Sequence, residues 1–97
     1  MNKELSFNDV IYLKAESNYT IFYFENGKKY ISGYTLKYHQ KKIELNGFYR
    51  VNRAYLLNPK YIAKISREGN LTSISMINGT KTRISRRRTL ETSIIQN

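Results

Sequence analysis

The sequence predicts a mostly β chain with one short helix, and three observations predict it. Two Asn-Gly pairs, Asn26-Gly27 and Asn78-Gly79, each divide two runs rich in β-branched and aromatic residues. Proline appears once, at Pro59, so turns must be made by glycine and asparagine. A single stretch, after Thr35, carries its apolar residues at helical spacing.

The elements follow in order. Residues 10–13 (Val-Ile-Tyr-Leu) form a fully apolar run of strand length. Residues 20–25 and 28–32 flank Asn26-Gly27, a dipeptide that readily takes the positive φ angles of a two-residue hairpin turn. Phe22 and Phe24 alternate with Ile21 and Tyr23, so both faces of that strand are apolar and it is expected to lie between two layers. Thr35 is placed to cap a helix in which Leu36, Gln40 and Ile43 share a face and Lys37, Lys41 and Lys42 take the other, with Asn46-Gly47 ending it. The C-terminal half reads as a three-stranded meander: residues 61–66, a turn at Glu68-Gly69-Asn70, residues 71–77, the second Asn-Gly turn, then residues 80–84. Ninety-seven residues, 40% of them apolar, suffice for one domain with a single core, and no repeat, linker or low-complexity tract interrupts them.

Charge narrows the function. The formal net charge is +10, and all seven arginines lie between Arg50 and Arg88, where Glu68 is the one acid. So one-sided a distribution points to a polyanionic partner, with nucleic acid first. Cysteine is absent, which excludes disulfides and thiolate metal sites. No apolar run approaches the ~20 residues of a membrane span and no signal-peptide pattern opens the chain, so a cytoplasmic location is expected. One histidine (His39) and one aspartate (Asp9) leave little from which to build a metal site or a nucleophilic triad. We expect no enzyme, metal or cofactor, and His39 is expected to be an ordinary residue of the helix surface.

Three segments carry candidate binding chemistry. In Thr82-Arg83-Ile84-Ser85-Arg86-Arg87-Arg88 an extended backbone sends Arg86 and Arg88 to one side and Arg87 to the other. Arginine forks fit guanine O6/N7 or phosphate oxygens, and the Ser85 hydroxyl can add a phosphate bond. Phe48-Tyr49-Arg50-Val51-Asn52-Arg53-Ala54-Tyr55-Leu56-Leu57-Asn58 interleaves cations with apolar anchors, so that Asn52 and Arg53 can project outward; a plain turn has the same composition. Asn18 precedes Tyr19 and the aromatic strand; alone it would be a turn residue.

Together these segments resemble a known family. The early run Ile11-Tyr12-Leu13-Lys14-Ala15-Glu16-Ser17-Asn18-Tyr19, the basic-aromatic run ending Leu56-Leu57-Asn58-Pro59-Lys60-Tyr61-Ile62, and Asn78-Gly79 followed by Ile84-Ser85-Arg86-Arg87-Arg88 are similar to the LytTR-type DNA-binding domain, in order, from about Asp9 to Glu91. The resemblance implies an elongated stack of small antiparallel sheets, a β sandwich with one short helix, occupying residues 1–97 as a single domain. It implies an output domain of bacterial response regulators or a stand-alone transcription regulator. Such a domain binds duplex DNA through loops in successive major grooves at paired direct repeats, as a monomer when free. The single aspartate cannot furnish a receiver domain within these residues, so the resemblance leaves two arrangements open: an output domain with its receiver in cis in a larger protein, or a stand-alone regulator with an upstream signalling partner. By matching motif, the base-reading positions fall on Asn18, Arg53 and Arg86. Asn52, Ser85, Arg87, Arg88, Arg50, Lys81 and Tyr19 are implied as backbone or supporting contacts. Two positions depart from the family pattern: Asn52 stands where histidine is common and Ala54 where serine is common, which removes a hydroxyl from the middle loop.

Two other binding classes fit the composition. Nine tyrosines could serve as stacking platforms for RNA or single-stranded nucleic acid, although most are expected to be half-buried between strands. A basic module can also bind anionic lipid, with the same salt sensitivity and no dependence on base sequence.

Overall fold

Residues 6–43 and 47–85 are described by the computed structural model. Their elements are β1 (Val10–Glu16), β2 (Tyr19–Phe24), β3 (Lys29–Ser32), α1 (Leu36–Ile43), β4 (Tyr49–Arg50), β5 (Tyr55–Leu57), β6 (Ile62–Glu68), β7 (Leu71–Met76) and β8 (Lys81–Arg83). A five-stranded sheet runs β3-β2-β1-β5-β4 and a three-stranded sheet runs β6-β7-β8, antiparallel throughout. The meander and the mostly β architecture are as the sequence indicates, and the principal extents of 48 × 25 × 22 Å describe an elongated body.

β1 is the middle strand of the first sheet, and its first four residues are all buried. They serve two cores. Val10 and Leu13 join Phe22, Phe24, Leu36, Phe48 and Leu56 beneath the helix, while Ile11 and Tyr12 join Leu57, Tyr61, Ile74 and Met76 against the second sheet. Strict alternation cannot divide four consecutive residues this way. The register shifts between Val10 and Tyr12, and that bulge turns the strand's faces over. The first sheet is thus sandwiched between α1 and the second sheet, the two-layered environment expected from the aromatic strand.

The sheets are joined at Asn58. Its Nδ2 donates to Val10 O (2.9 Å), and its Oδ1 accepts from Lys60 N, capping the short 3-10 turn Pro59–Tyr61 in which proline takes the first position. The Tyr61 hydroxyl then donates to the Glu25 carboxylate (2.7 Å), which pushes its pKa up to about 12.

The hairpin turns differ from expectation. Asn26-Gly27 and Asn78-Gly79 do not close two-residue loops: Gly27 N bonds Phe24 O and Phe24 N bonds Lys28 O, with the same pattern from Met76 to Thr80. Only the glycines have positive φ, 90° and 93°. Each asparagine instead stays at negative φ and accepts the amide two residues on, Lys28 N (2.9 Å) and Thr80 N (3.1 Å). The loops are therefore three residues long, ending in a glycine bulge. At the third turn Glu68 pairs with Leu71 directly, leaving Gly69-Asn70 as the two-residue loop.

α1 begins where Thr35 indicates, with Thr35 Oγ1 accepting from Tyr38 N (3.3 Å). The expected stop at Asn46 and the side chain of Ile43 lie outside the described residues. His39 is not a plain surface residue. Its Nε2 lies 2.7 Å from Ser32 Oγ and its ring packs edge-on against Phe22 at 4.9 Å between centroids. Burial, aided by Lys42, holds its pKa below the ordinary 6.5.

Candidate nucleic-acid interface

The register of the first sheet gathers the predicted loops at one end. Glu16 and Tyr19 are the last pair of the β1–β2 hairpin, so Ser17-Asn18 forms its tip. Ser17 has φ of 52°, the one non-glycine residue with positive φ among the described residues. Asn18 and Tyr19 are exposed there. Lys14 pairs with Tyr55, and Ala15 N donates to Ala54 O (2.8 Å), which carries the β4–β5 loop, with Arg53 at its tip, to the same end. Ser85 N donates to Val51 O (2.8 Å), so the chain leaving β8 passes beside that loop.

The β4–β5 loop is held by an internal lattice of hydrogen bonds. Asn52 Oδ1 accepts from Ala54 N (2.8 Å) and Tyr55 N (3.0 Å), while Nδ2 donates to Thr82 Oγ1 (2.8 Å) and Arg83 O (2.7 Å). Both donor hydrogens and both acceptor lone pairs of the amide are thereby used. Arg50 encloses the loop from the other side: Nε donates to Asn52 O (2.9 Å), Nη2 to Arg53 O (3.0 Å) and Nη1 to Gln40 Oε1 on α1. Val51 is fully buried and pins the segment to the second core. The absent hydroxyl at Ala54 leaves its loop well bonded, because the Asn52 side chain accepts the backbone amide.

These contacts divide the expected site residues. Asn18 and Arg53 are exposed, and neither side chain hydrogen-bonds among the described residues. Asn52, expected to project outward, instead turns inward, and with Arg50 it holds the loop in shape. Lys81 is exposed on β8 and Ser85 is half-buried. Arg86, Arg87 and Arg88 lie outside the described residues.

Arg83 is an exposed cation that composition alone did not single out. Its register partner is Ser73, and Lys81 pairs with Ser75, which in turn pairs with Lys64. Ile74 and Met76 face the core, so Ser73 and Ser75 face away with Lys64, Lys81 and Arg83. The outer face of the second sheet is a small-residue surface studded with cations. Its signal in the sequence is the alternation Ser73, Ser75 beside Lys81, Arg83.

The tyrosines split as well. Tyr12 and Tyr61 are buried and Tyr23, Tyr49 and Tyr55 half-buried, whereas Tyr19, Tyr30, Tyr34 and Tyr38 are exposed. No group of metal-binding side chains occurs among the described residues, and no helix there is long and apolar enough to cross a membrane.

An elongated two-sheet body that presents arginine- and asparagine-tipped loops at one end, beside a cationic sheet face, defines a small polyanion-binding module. Comparison with known families makes the class specific. The LytTr DNA-binding domain model matches residues 2–92, and the chain belongs to that family; DNA binding in transcription regulation is the activity that membership assigns. A solved LytTr DNA-binding domain from Bacillus cereus, described as part of a methyl-accepting/DNA response regulator, superposes with a TM-score of 0.74 at 24% identity. The match covers 84% of this chain and 74% of that one, and it shows the shared fold. No curated protein matched.

Proposed function

We propose that this domain reads a specific duplex sequence, its loops entering successive major grooves at paired direct repeats, as the output of a bacterial response regulator or as a stand-alone regulator. The observation that supports the reading is the convergence, at one end of the first sheet, of the Asn18 turn, the Arg53 loop and the chain leading to Arg86. Asn18 and Arg53 reach base edges, where a bidentate side chain discriminates by ~1–3 kcal/mol. Arg86 takes the third base-reading role. Lys81, Ser85, Arg87 and Arg88, with Arg83 added from the structure, hold phosphates and set register without reading sequence. Tyr19 supports the Asn18 turn. Arg50 and Asn52 act behind the surface, fixing the carbonyl and amide groups on either side of Arg53. The free domain is a monomer that pairs through adjacent sites on DNA, and a receiver domain, in the same protein or an upstream one, governs its access.

The test compares Arg53→Ala with Lys81→Ala on a selected duplex and on a scrambled one. Arg53→Ala lowers the ratio of specific to non-specific affinity, whereas Lys81→Ala weakens both duplexes alike. Equal losses on the two duplexes in the Arg53 variant would remove it from base reading.

A further inference from the structure

The first sheet is only partly covered on its helix side. Five strands at ~4.8 Å spacing span about 20 Å, and one helix of ~10 Å diameter covers about half of that. α1 rests mainly over β1 and β5 through Leu36 and Gln40, toward Arg50, and reaches β2 and β3 through His39. The half over β2 and β3 holds an aromatic surface instead. Tyr30 is 55% exposed, Tyr34 58%, Phe7 43% and Tyr38 39%.

These rings form one patch. Tyr34 and Tyr38 stack at 4.2 Å, Tyr38 meets His39 at 5.2 Å, and His39 and Tyr30 both pack edge-on against Phe22, which Phe7 meets at 6.4 Å. The result is a shelf beside α1, floored by Phe22 and His39 and open at the edge, since β3 pairs only with β2 among the described residues. Contiguous exposed apolar surface of this kind marks a binding site more often than idle surface.

The rim indicates what fits. Lys42 lies over the Tyr38 ring at 5.0 Å, Lys28 stands exposed at the entry to β3, and Lys37 and Lys41 are exposed along α1. Among the described acids, Glu16 pairs with Lys14, Glu25 accepts from Tyr61 and Glu68 belongs to the second sheet, leaving half-buried Asp9 nearby. A second copy of a chain carrying +10 would bring lysine rim against lysine rim. We propose that this shelf docks an acidic amphipathic helix of a partner protein, laid alongside α1, with its apolar face on Phe7, Tyr30 and Tyr34 and its carboxylates against Lys28 and Lys42. This protein-binding surface lies away from the Arg53 loop and adjoins the Asn18 hairpin at its Tyr34 end, where Thr20 Oγ1 donates to Tyr34 O (2.9 Å), and it does not depend on the assignment of those loops to DNA.

The probe is a synthetic helical peptide with leucines at i, i+3, i+4 and i+7 and glutamates elsewhere, titrated into the domain while its amide NMR signals are followed. Saturable shifts at Phe7, Tyr30, Ser32, Tyr34 and His39, with Arg53 unmoved, are expected. Tyr30→Ser combined with Tyr34→Ser should weaken the peptide about 10-fold or more, because two large exposed rings leave the contact. The same variant should retain duplex affinity, which also shows that it folds. A lysine-for-glutamate peptide should not bind. Shifts confined to the Arg53 end would reveal general polyanion binding and overturn the proposal. So would no saturable shift, self-association through the tyrosine patch in sedimentation, or displacement of the peptide signals by random duplex DNA at the same residues.

Discussion

Replacing Asn52 with alanine separates a residue that shapes the β4–β5 loop from one that touches DNA. The substitution deletes four hydrogen bonds: two that fold the loop onto itself at Ala54 and Tyr55, and two that tie it to Thr82 and Arg83 on β8. At ~1 kcal/mol net each, their sum is about 4 kcal/mol. The site is half-buried and the Arg83 carbonyl lies near solvent, so water recovers part of this, leaving about 2–3 kcal/mol. For a domain of this size that lowers Tm by roughly 10–20 °C. Urea denaturation followed by far-UV circular dichroism measures it directly. Asn52→Asp keeps the two acceptor contacts and loses the two donors, so it too should destabilise, since a carboxylate would face the Arg83 carbonyl. At a temperature where Asn52→Ala remains folded, its discrimination between specific and scrambled duplex should fall through misplacement of Arg53. Unchanged stability together with lost discrimination would refute the reasoning, because it would make Asn52 a direct contact.

Three shorter expectations accompany it. Arg50→Met keeps the aliphatic stem but removes donors to Asn52 O, Arg53 O and Gln40. It should cost about 1–3 kcal/mol by denaturant titration and reduce specific more than non-specific binding; equal loss on both duplexes would place Arg50 on phosphate. His39 has its folded pKa below the 6.5 of the unfolded chain, so it contributes stability above that pH which is lost as pH falls through and below it. His39→Gln should therefore show a flatter stability profile on the acid side of neutrality, and an unchanged profile would contradict the lowered pKa of the half-buried imidazole. A domain making ~6–10 phosphate contacts should lose ~10³–10⁵ in affinity between 50 and 200 mM salt, measured by anisotropy. A flat response would remove the electrostatic part of the account.

Local rules carried the sequence far where partners are close along the chain. The Thr35 cap, the meander and the alternation of β2 all depend on neighbours within a few residues, and each is present. The hairpins were legible as hairpins but not in length, because asparagine can either take positive φ itself or leave that to the following glycine and use its side chain. Asn26 and Asn78 take the second course. The β4–β5 loop shows the harder limit. Whether Asn52 points outward or inward depends on Thr82 and Arg83, some thirty residues away, and composition does not reveal that juxtaposition. His39 is similar: the helix pattern places it correctly, but its burial comes from Ser32 and Phe22 on a neighbouring sheet edge. Exposed Tyr30 was hidden by the opposite fault, since an aromatic residue in a strand is ordinarily covered and here it stands on an edge strand that the one short helix does not cover.

Sequence-specific duplex reading by the loops at one end of the first sheet can be measured by anisotropy titration against randomised duplex DNA, followed by sequencing of the bound pool. Enrichment of a short motif repeated in the same direction is expected, with enrichment at individual base pairs relaxed by Arg53→Ala and by Arg86→Ala. Binding that salt erases and that enriches no sequence would contradict it.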